Sequence, residues 1–392
     1  MAMTNCWCGS EQIHVFGQEY GVCVTCGTLV YTKAIPPETL VVLNDETDYY
    51  GKKYWLEHQE EDFGYDDLYT RTRNDLTERN LHWLKTLLKY QLPPAKVLEV
   101  GCAHGSFVAL LRQAGYNAAG VEMSPWIVEF GKKTFDVPIL LGPIEALDIP
   151  SGSLDVIFLM DVLEHLPDPL TTMAHCLQLL KPDGLLLIQT PQFKTEMNYA
   201  ELVETKGVFL EQLKAVEHLY LFSESSATQL FQQLGAEHIQ FETAIFDYYD
   251  MFFVVSRESI VRVPPGQVES VLLSTSKGRF SLALLDMDTK AEALNKTIDE
   301  LQNFKDSAIS QVNTLTGWVE EARSETVLLK EWQSSAQQQI ETLTEWVVLL
   351  EDRLVTALQK NEILAGIVPS IIVKFAHTIS TIYEDLIKKI WR

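Results

Sequence analysis

From Lys96 to Thr190, short apolar runs alternate with amphipathic stretches, and this alternation constrains the fold more than any other feature of the chain. "KVLEV", "NAAGVE", "PILL", "LDVIFLM" and "GLLLIQT" read as strands, and 105–115, 124–134 and 168–180 as helices. Apolar strands separated by helices form βαβ units, whose strands lie parallel with both faces covered. A helix at 224–235 and strands near 238–245 and 250–256 extend the pattern. The expectation is a doubly wound, Rossmann-like α/β domain over 96–260. Ligands of such sheets bind beyond the carboxyl ends of the strands.

The first predicted strand runs into a turn of small residues, "VLEVGCAHGSF". A dinucleotide fold wants G-x-G-x-x-G, whose close glycines seat a pyrophosphate on a helix N-terminus. Here Gly101, Ala103 and Gly105 are spaced differently, and Glu99 lies at the strand end. A buried carboxylate there opposes a pyrophosphate and suits a positively charged ligand. Glu122 ends the next strand, at the spacing where such folds hold ribose hydroxyls. The ligand that satisfies both acids is an adenosine with a cationic, phosphate-free tail, and S-adenosylmethionine (SAM) fits that description.

On these residues the chain resembles a class I SAM-dependent methyltransferase over 97 to about 191. "LEVGCAHG" resembles the family's glycine loop and "GVEMS" its ribose-binding acid. "GPIEALDIPSGSLDVI", "MDVLEHLPDP" and "LLKPDGLLLIQTP" resemble its adenine-side loop, post-strand motif and fifth strand, in the family's order. The resemblance implies that Glu99 and the backbone of Gly101, Cys102, Ala103 and Gly105 position the amino-acid part of SAM. It implies Glu122 for the ribose and Met123 over an adenine face. Ile144 and Glu145 would lie along the adenine edge, with Met160 and Asp161 on the pocket floor. Ala103 replaces a family glycine, which is tolerable while its φ stays negative. Pro143 stands where the family usually has an acid for the adenine amino group.

His165 in "LEHLPDP" and His218 in "VEHLYLFS" are the candidate bases for a hydroxyl proton. The second segment resembles the His-Leu-x-x-Phe of many small-molecule methyltransferases. Packing or helix capping is the commoner fate of a lone histidine. Glu164 with His165 would alternatively hold a divalent ion, as in ubiquinone-pathway O-methyltransferases, but the sequence offers no third ligand.

Cys6, Cys8, Cys23 and Cys26 form two knuckles within residues 1–35, each followed by glycine. Four such thiolates suit a tetrahedral structural zinc, although C-x-C is tighter than the usual C-x₂-C. The layout resembles zinc-binding segments that precede sugar-modifying methyltransferases. Residues 36–95 read as a helical, aromatic-rich substrate-side region with a helix over 74–90, and 261–286 as a connector.

From 287 to 365 apolar residues recur at alternating spacings of three and four, from Leu294 to Leu364, the pattern of a coiled coil. Trp318, Trp332 and Trp346 recur at g positions and widen the apolar face, which favours a homo-oligomer of three or more helices. Residues 366–392 form an amphipathic helix ending in "KKIWR", suited either to an anionic membrane surface or to capping the bundle.

The net charge of −23 argues against a nucleic-acid partner. No stretch approaches the roughly 20 apolar residues of a bilayer span, and no signal peptide is evident. The expected location is the cytoplasm, including the cytoplasmic membrane face through the tail. The expected activity is SAM-dependent methyl transfer to a small-molecule or glycan acceptor, foremost a sugar hydroxyl in surface polysaccharide biosynthesis. The alternatives are a non-glycan O-methyltransferase and a non-catalytic coiled-coil scaffold. An NAD(P) dehydrogenase is disfavoured by Glu99 and the loop spacing.

Overall fold

The computed structural model describes residues 5–33, 35, 42, 44–61, 64–324, 329–359, 378 and 381. Two compact units divide the chain, Met1–Asp288 and Thr289–Arg392.

In the first unit, three short strands come first: β1 (Ile13–Phe16), β2 (Tyr20–Cys23) and β3 (Leu29–Tyr31). Among the described residues that follow, 54–61 and 68–88 are mostly helical. A π turn over Tyr54–His58 leads into α1 (Gln59–Glu61), followed by α2 (Leu68–Asp75), a second π turn (Leu76–Asn80) and α3 (Leu81–Leu88). The helix expected from 74 starts earlier because Asp67 caps it, accepting from the amides of Tyr69 and Thr70.

The doubly wound sheet then forms from β4 (Lys96–Val100), α4 (Ser106–Ala114), β5 (Asn117–Glu122), α5 (Pro125–Phe135), β6 (Ile139–Leu141) and β7 (Leu154–Met160). The chain continues through α6 (Pro169–Leu179), β8 (Leu180–Pro191), α7 (Tyr199–Thr205), β9 (Tyr220–Leu221), α8 (Glu224–Gln233), β10 (His238–Glu242) and β11 (Asp250–Ser256). Seven strands lie in the order β10-β11-β8-β7-β4-β5-β6. The five from β8 to β6 are parallel, and β11 and β10 close one edge antiparallel. After β4 the chain winds to β6 on one side and then crosses to β7 on the other. The crevice of such a sheet therefore opens at the end of β4.

Period-2 alternation sorts the strands' side chains between two cores. Val100, Ile157, Leu159, Ile188 and Phe253 face one cluster, with Met173, Cys176 and Leu230 from α6 and α8. Val97, Val156, Phe158, Leu187 and Phe252 face the other, with Leu84, Phe107 and Leu111 from α3 and α4. Strands buried on both faces read as the near-continuous apolar runs seen in the sequence.

The cysteine-bearing segment does not stand apart. Its sheet has the order β1-β2-β3-β9, so its last strand comes from the middle of the α/β domain. Cys6, Trp7, Cys23, Cys26 and Val30 share the core cluster of Ile188 and Phe222. The small module thus buries its apolar residues against the larger domain.

Helix α9 (Pro265–Leu273) precedes α10 (Ser276–Ser324), and α11 (Leu329–Gln359) follows. In the second unit, Leu315 and Val319 of α10 pack with Ala336 and Ile340 of α11, and three of these four are buried. These four seam positions therefore meet inside one chain, between two helices. Seam residue Leu364 and all of 366–392 except Thr378 and Thr381 lie outside the described residues. No described helix is long and apolar enough to cross a membrane.

Candidate functional site

The expected cofactor residues converge at the carboxyl ends of the parallel strands. Glu99 is the penultimate residue of β4, Glu122 the last of β5 and Met160 the last of β7. Gly101, Ala103 and Gly105 all have positive φ, at 72°, 48° and 78°. The condition for tolerating Ala103, a negative φ, is therefore not met. The turn needs a left-handed residue there, and Ala103 holds that conformation at a cost that glycine would avoid. At Gly101 a Cβ would lie 2.5 Å from Val162 Cγ2, so both the conformation and the space require glycine.

Both acids are buried, and their surroundings differ. Glu122 accepts at Oε2 from the Ala103 amide (3.1 Å) and at Oε1 from those of Met123 (2.7 Å) and Ser124 (3.1 Å). Those bonds fix the carboxylate and leave part of its acceptor capacity open. Glu99 Oε2 is buried and has no hydrogen-bond partner. Burial, with Glu122 nearby, pushes the Glu99 carboxyl well above its ordinary range. An orphaned buried carboxyl oxygen is costly, and a cationic ligand group would satisfy it. That is the fit required of the amino group of SAM.

The adenine side is more mixed. Ile144 is buried in a 3₁₀ turn (Ile144–Ala146) behind Pro143. The Glu145 carboxylate accepts from the Thr172 hydroxyl of α6, so one of its oxygens is already engaged. Asp161, at φ 56°, accepts from Gln189 Nε2 (3.2 Å) and pairs with Arg79 (3.3 Å). Arg79 is a site residue the sequence did not flag. It comes from the π turn after α2, lies over the rings of Tyr65 and Phe246, and carries no local motif.

His165 and His218 come together although 52 residues separate the first from Glu217, the neighbour of the second. Their ring centroids are 4.9 Å apart. His165 Nδ1 lies 2.9 Å from the Glu217 carbonyl, and His218 Nδ1 lies 2.8 Å from that of Gln212. Each carbonyl fixes the proton on Nδ1 and leaves Nε2 as the basic atom. Burial pushes His165 down to about 4, and burial with His165 alongside pushes His218 well below its ordinary value. Both rings are therefore neutral at pH 7. Glu164 is buried beside them and accepts from Thr190 Oγ1 (2.9 Å). Burial, then Asp161, pushes Glu164 up to about 8. The structure also supplies the third group the sequence lacked. Donor atoms of Glu164, His165 and His218 all lie within 4.8 Å of one another.

Residues from 44–61 and 64–80 contact the groups of this crevice. Asp45 accepts from Ser124 Oγ (3.1 Å), and Tyr49 Oη donates to Glu217 Oε1 (2.6 Å). Tyr50 stands 6.4 Å from the His165 ring, and Asp75 of α2 lies 3.3 Å from His104 in the glycine loop. The sequence marks this segment as aromatic-rich but carries no signal for these contacts.

The four cysteines also meet as expected. Cys6 and Cys26 sulfurs are 3.4 Å apart, those of Cys8 and Cys23 3.6 Å, and all four lie within 4.8 Å of one another. Sulfurs bound at about 2.3 Å around a tetrahedral zinc would stand nearly this far apart. A hydrogen bond from Cys6 holds the Cys26 thiol down at about 5, while the same contact and burial push Cys6 up. As thiolates at this distance the four sulfurs would need a cation between them, and the donor set fits zinc.

Residues 70–240 match the family model described as a methyltransferase domain. The chain carries a methyltransferase domain. Among curated proteins, the ubiquinone biosynthesis O-methyltransferase of Xanthomonas campestris pv. campestris (strain B100) is 32% identical over 105 residues, 25% of this chain and 44% of that protein. That of Thiobacillus denitrificans is 28% identical over 124 residues, covering 30% and 52%. The chain spans about half the length of the curated relatives it matches. A solved SAM-dependent methyltransferase from Thermotoga maritima is 20% identical, covers 52% of this chain and 99% of that one, and gives a TM-score of 0.36. The matched segment contains the methyltransferase domain's crevice, from Arg79 to His218, and excludes the cysteine module and the helices of the second unit.

Proposed function

We propose that this chain is a SAM-dependent O-methyltransferase whose acceptor is a small-molecule or glycan hydroxyl, foremost that of a sugar. The observation that carries the reading is Glu99, a buried carboxyl with an unpartnered oxygen beside a positive-φ small-residue turn at the switch point. SAM, when bound, supplies a methyl group already activated on a sulfonium. Glu99 would take its amino group, Glu122 the ribose hydroxyls, and the Gly101–Gly105 backbone would admit it closely. Either His218 or His165, each with a basic Nε2 atom, would accept the hydroxyl proton as the methyl group leaves sulfur for oxygen. Alignment of the acceptor oxygen supplies most of the remaining rate. The rings of Tyr49, Tyr50, Tyr54 and His58 pack together beside these histidines, and such faces suit the apolar side of a sugar ring. Zinc on the four cysteines would be structural, since no coordination position stays open.

Calorimetry with SAM tests the reading. Binding below millimolar, abolished in Gly101→Val, is expected. An absence of binding by the zinc-loaded chain would leave the scaffold alternative standing. For the acceptor, mass-spectrometric screening of sugars and phenols with labelled SAM should give single methyl additions that His218→Gln slows by about 10²–10⁴-fold.

A further inference from the structure

The cysteine module ends on the backbone that carries His218. Its third strand, β3, pairs antiparallel with β9, matching Leu29 with Leu221 and Val30 with Tyr220. The Tyr31 amide donates to the Leu219 carbonyl (3.0 Å). Tyr20 Oη, from β2, donates to the carbonyl of His218 itself (3.1 Å). On the other side, the Leu219 amide donates to the Glu164 carbonyl (2.7 Å). One short strand thus separates the sulfur cluster from both His218 and Glu164.

The cysteines reach that strand by two routes. Cys23 ends β2, and its amide donates to the Thr28 carbonyl (2.8 Å), closing the knuckle just before β3. Thr28 Oγ1 accepts from Cys26 Sγ (3.2 Å) and from Trp7 Nε1 (2.8 Å). The Trp7 ring lies 6.2 Å from that of Phe222, just after β9. Three strands of three or four residues cannot hold this register alone, because isolated hairpins are marginal in water. Closing the knuckles with a metal removes their freedom.

We propose that the Cys6–Cys8–Cys23–Cys26 metal site is a positioning site for the acceptor side of the crevice. The bound ion locks β2 and β3, and these hold the His218 backbone against Glu164. The cofactor side hangs on β4 and β5, which make no strand pair with the module. Metal loss therefore unlocks His218 while leaving Glu99 and Glu122 in place. The proposal rests on reading His218 as an acceptor-side group, and its test needs no methyl transfer.

The experiment uses the full zinc-loaded chain and the Cys8→Ser variant. Zinc content, the Kd for SAM and the rate of diethyl pyrocarbonate labelling at each histidine are measured. In the loaded chain, the buried His218 ring should label slowly beside the exposed His238. Metal loss should speed labelling of His218 at least tenfold, with the His238 rate and the SAM Kd changed less than twofold. Cys8→His, which keeps a zinc ligand, should restore protection. Tyr20→Phe should raise His218 labelling in part with zinc still bound. Continued protection of His218 after complete zinc loss would overturn the proposal. So would loss of SAM binding in step with it, because the metal would then support the whole fold.

Discussion

Ala103 donates its amide to Glu122 Oε2 at 3.1 Å while its own φ is 48°. The residue that orients the ribose-side acid is thus itself in a left-handed conformation. Ala103→Gly should raise stability by about 1 kcal/mol, the strain a Cβ carries there, less the extra entropy of glycine in the unfolded chain. Calorimetric unfolding measures it, and a destabilised variant would mean that the alanine methyl contributes packing that outweighs the strain.

Glu99 makes a prediction about protons. Its carboxyl is pushed well above the ordinary range by burial and by Glu122, which favours its protonated form in the ligand-free chain. A cation placed against it favours the carboxylate. SAM binding should therefore be accompanied by proton release, read as a dependence of the binding enthalpy on the buffer's ionisation enthalpy. Glu99→Gln should abolish that release and weaken SAM by about 10–100-fold, the worth of a hydrogen bond to a charged group. Its thermal stability should hold or rise, because a neutral amide replaces one of the two buried acids.

Buried Glu164 and His165 shape stability against pH in opposite senses. Glu164 is raised to about 8, so its contribution is complete below its unfolded value near 4.3 and is lost as pH rises through 8. His165 is lowered to about 4, so its contribution is present above about 6.5 and is lost as pH falls through 4. The two offset each other between about pH 4.5 and 6.5, and Glu164 alone of the pair acts above that range. Stability should fall by about 2 kcal/mol between pH 6.5 and 8 from this group, at 1.36 kcal/mol per unit. Asp250, raised to about 9, adds a loss of the same sign. Denaturant titrations of Glu164→Gln should show a shallower alkaline decline than the parent, and an unchanged slope would refute the assignment.

The helical unit yields a concentration test. Leu315 meets Ala336 and Ile340 within one chain. Ile340→Asp should lower helical circular dichroism by the same fraction at micromolar and at hundredfold higher concentration. Recovery on concentration would place that contact between chains instead.

The strands and helices of the α/β domain were legible because parallel strands buried on both faces leave continuous apolar runs, and prolines and small residues mark the turns. Glu99, Gly101, Gly105 and Glu122 were legible for the same reason, since the end of a strand is a fixed address in a doubly wound sheet. The backbone angle of Ala103 was not legible, because a side chain smaller than most can occupy either half of φ space and only the turn's closure decides. Arg79, Tyr49 and Asp45 were hidden because they reach the crevice through tertiary packing of a segment with no periodic signature. The pairing of His165 with His218 required knowing that the backbone after Gln212 returns to Glu164. The helical seam was read correctly as a pattern, but a pattern of apolar positions does not state whether its partner is another chain or a later turn of the same one.

The pairing of Val30 with Tyr220 also sets an order of events during synthesis. The first thirty residues leave the ribosome long before β9 exists, so the cysteine module must wait with one edge open. Contacts so distant in sequence form late and slowly. A metal captured early by Cys6, Cys8, Cys23 and Cys26 would shelter that edge until β9 arrives, giving the ion a role in the chain's biogenesis before there is any active site to serve.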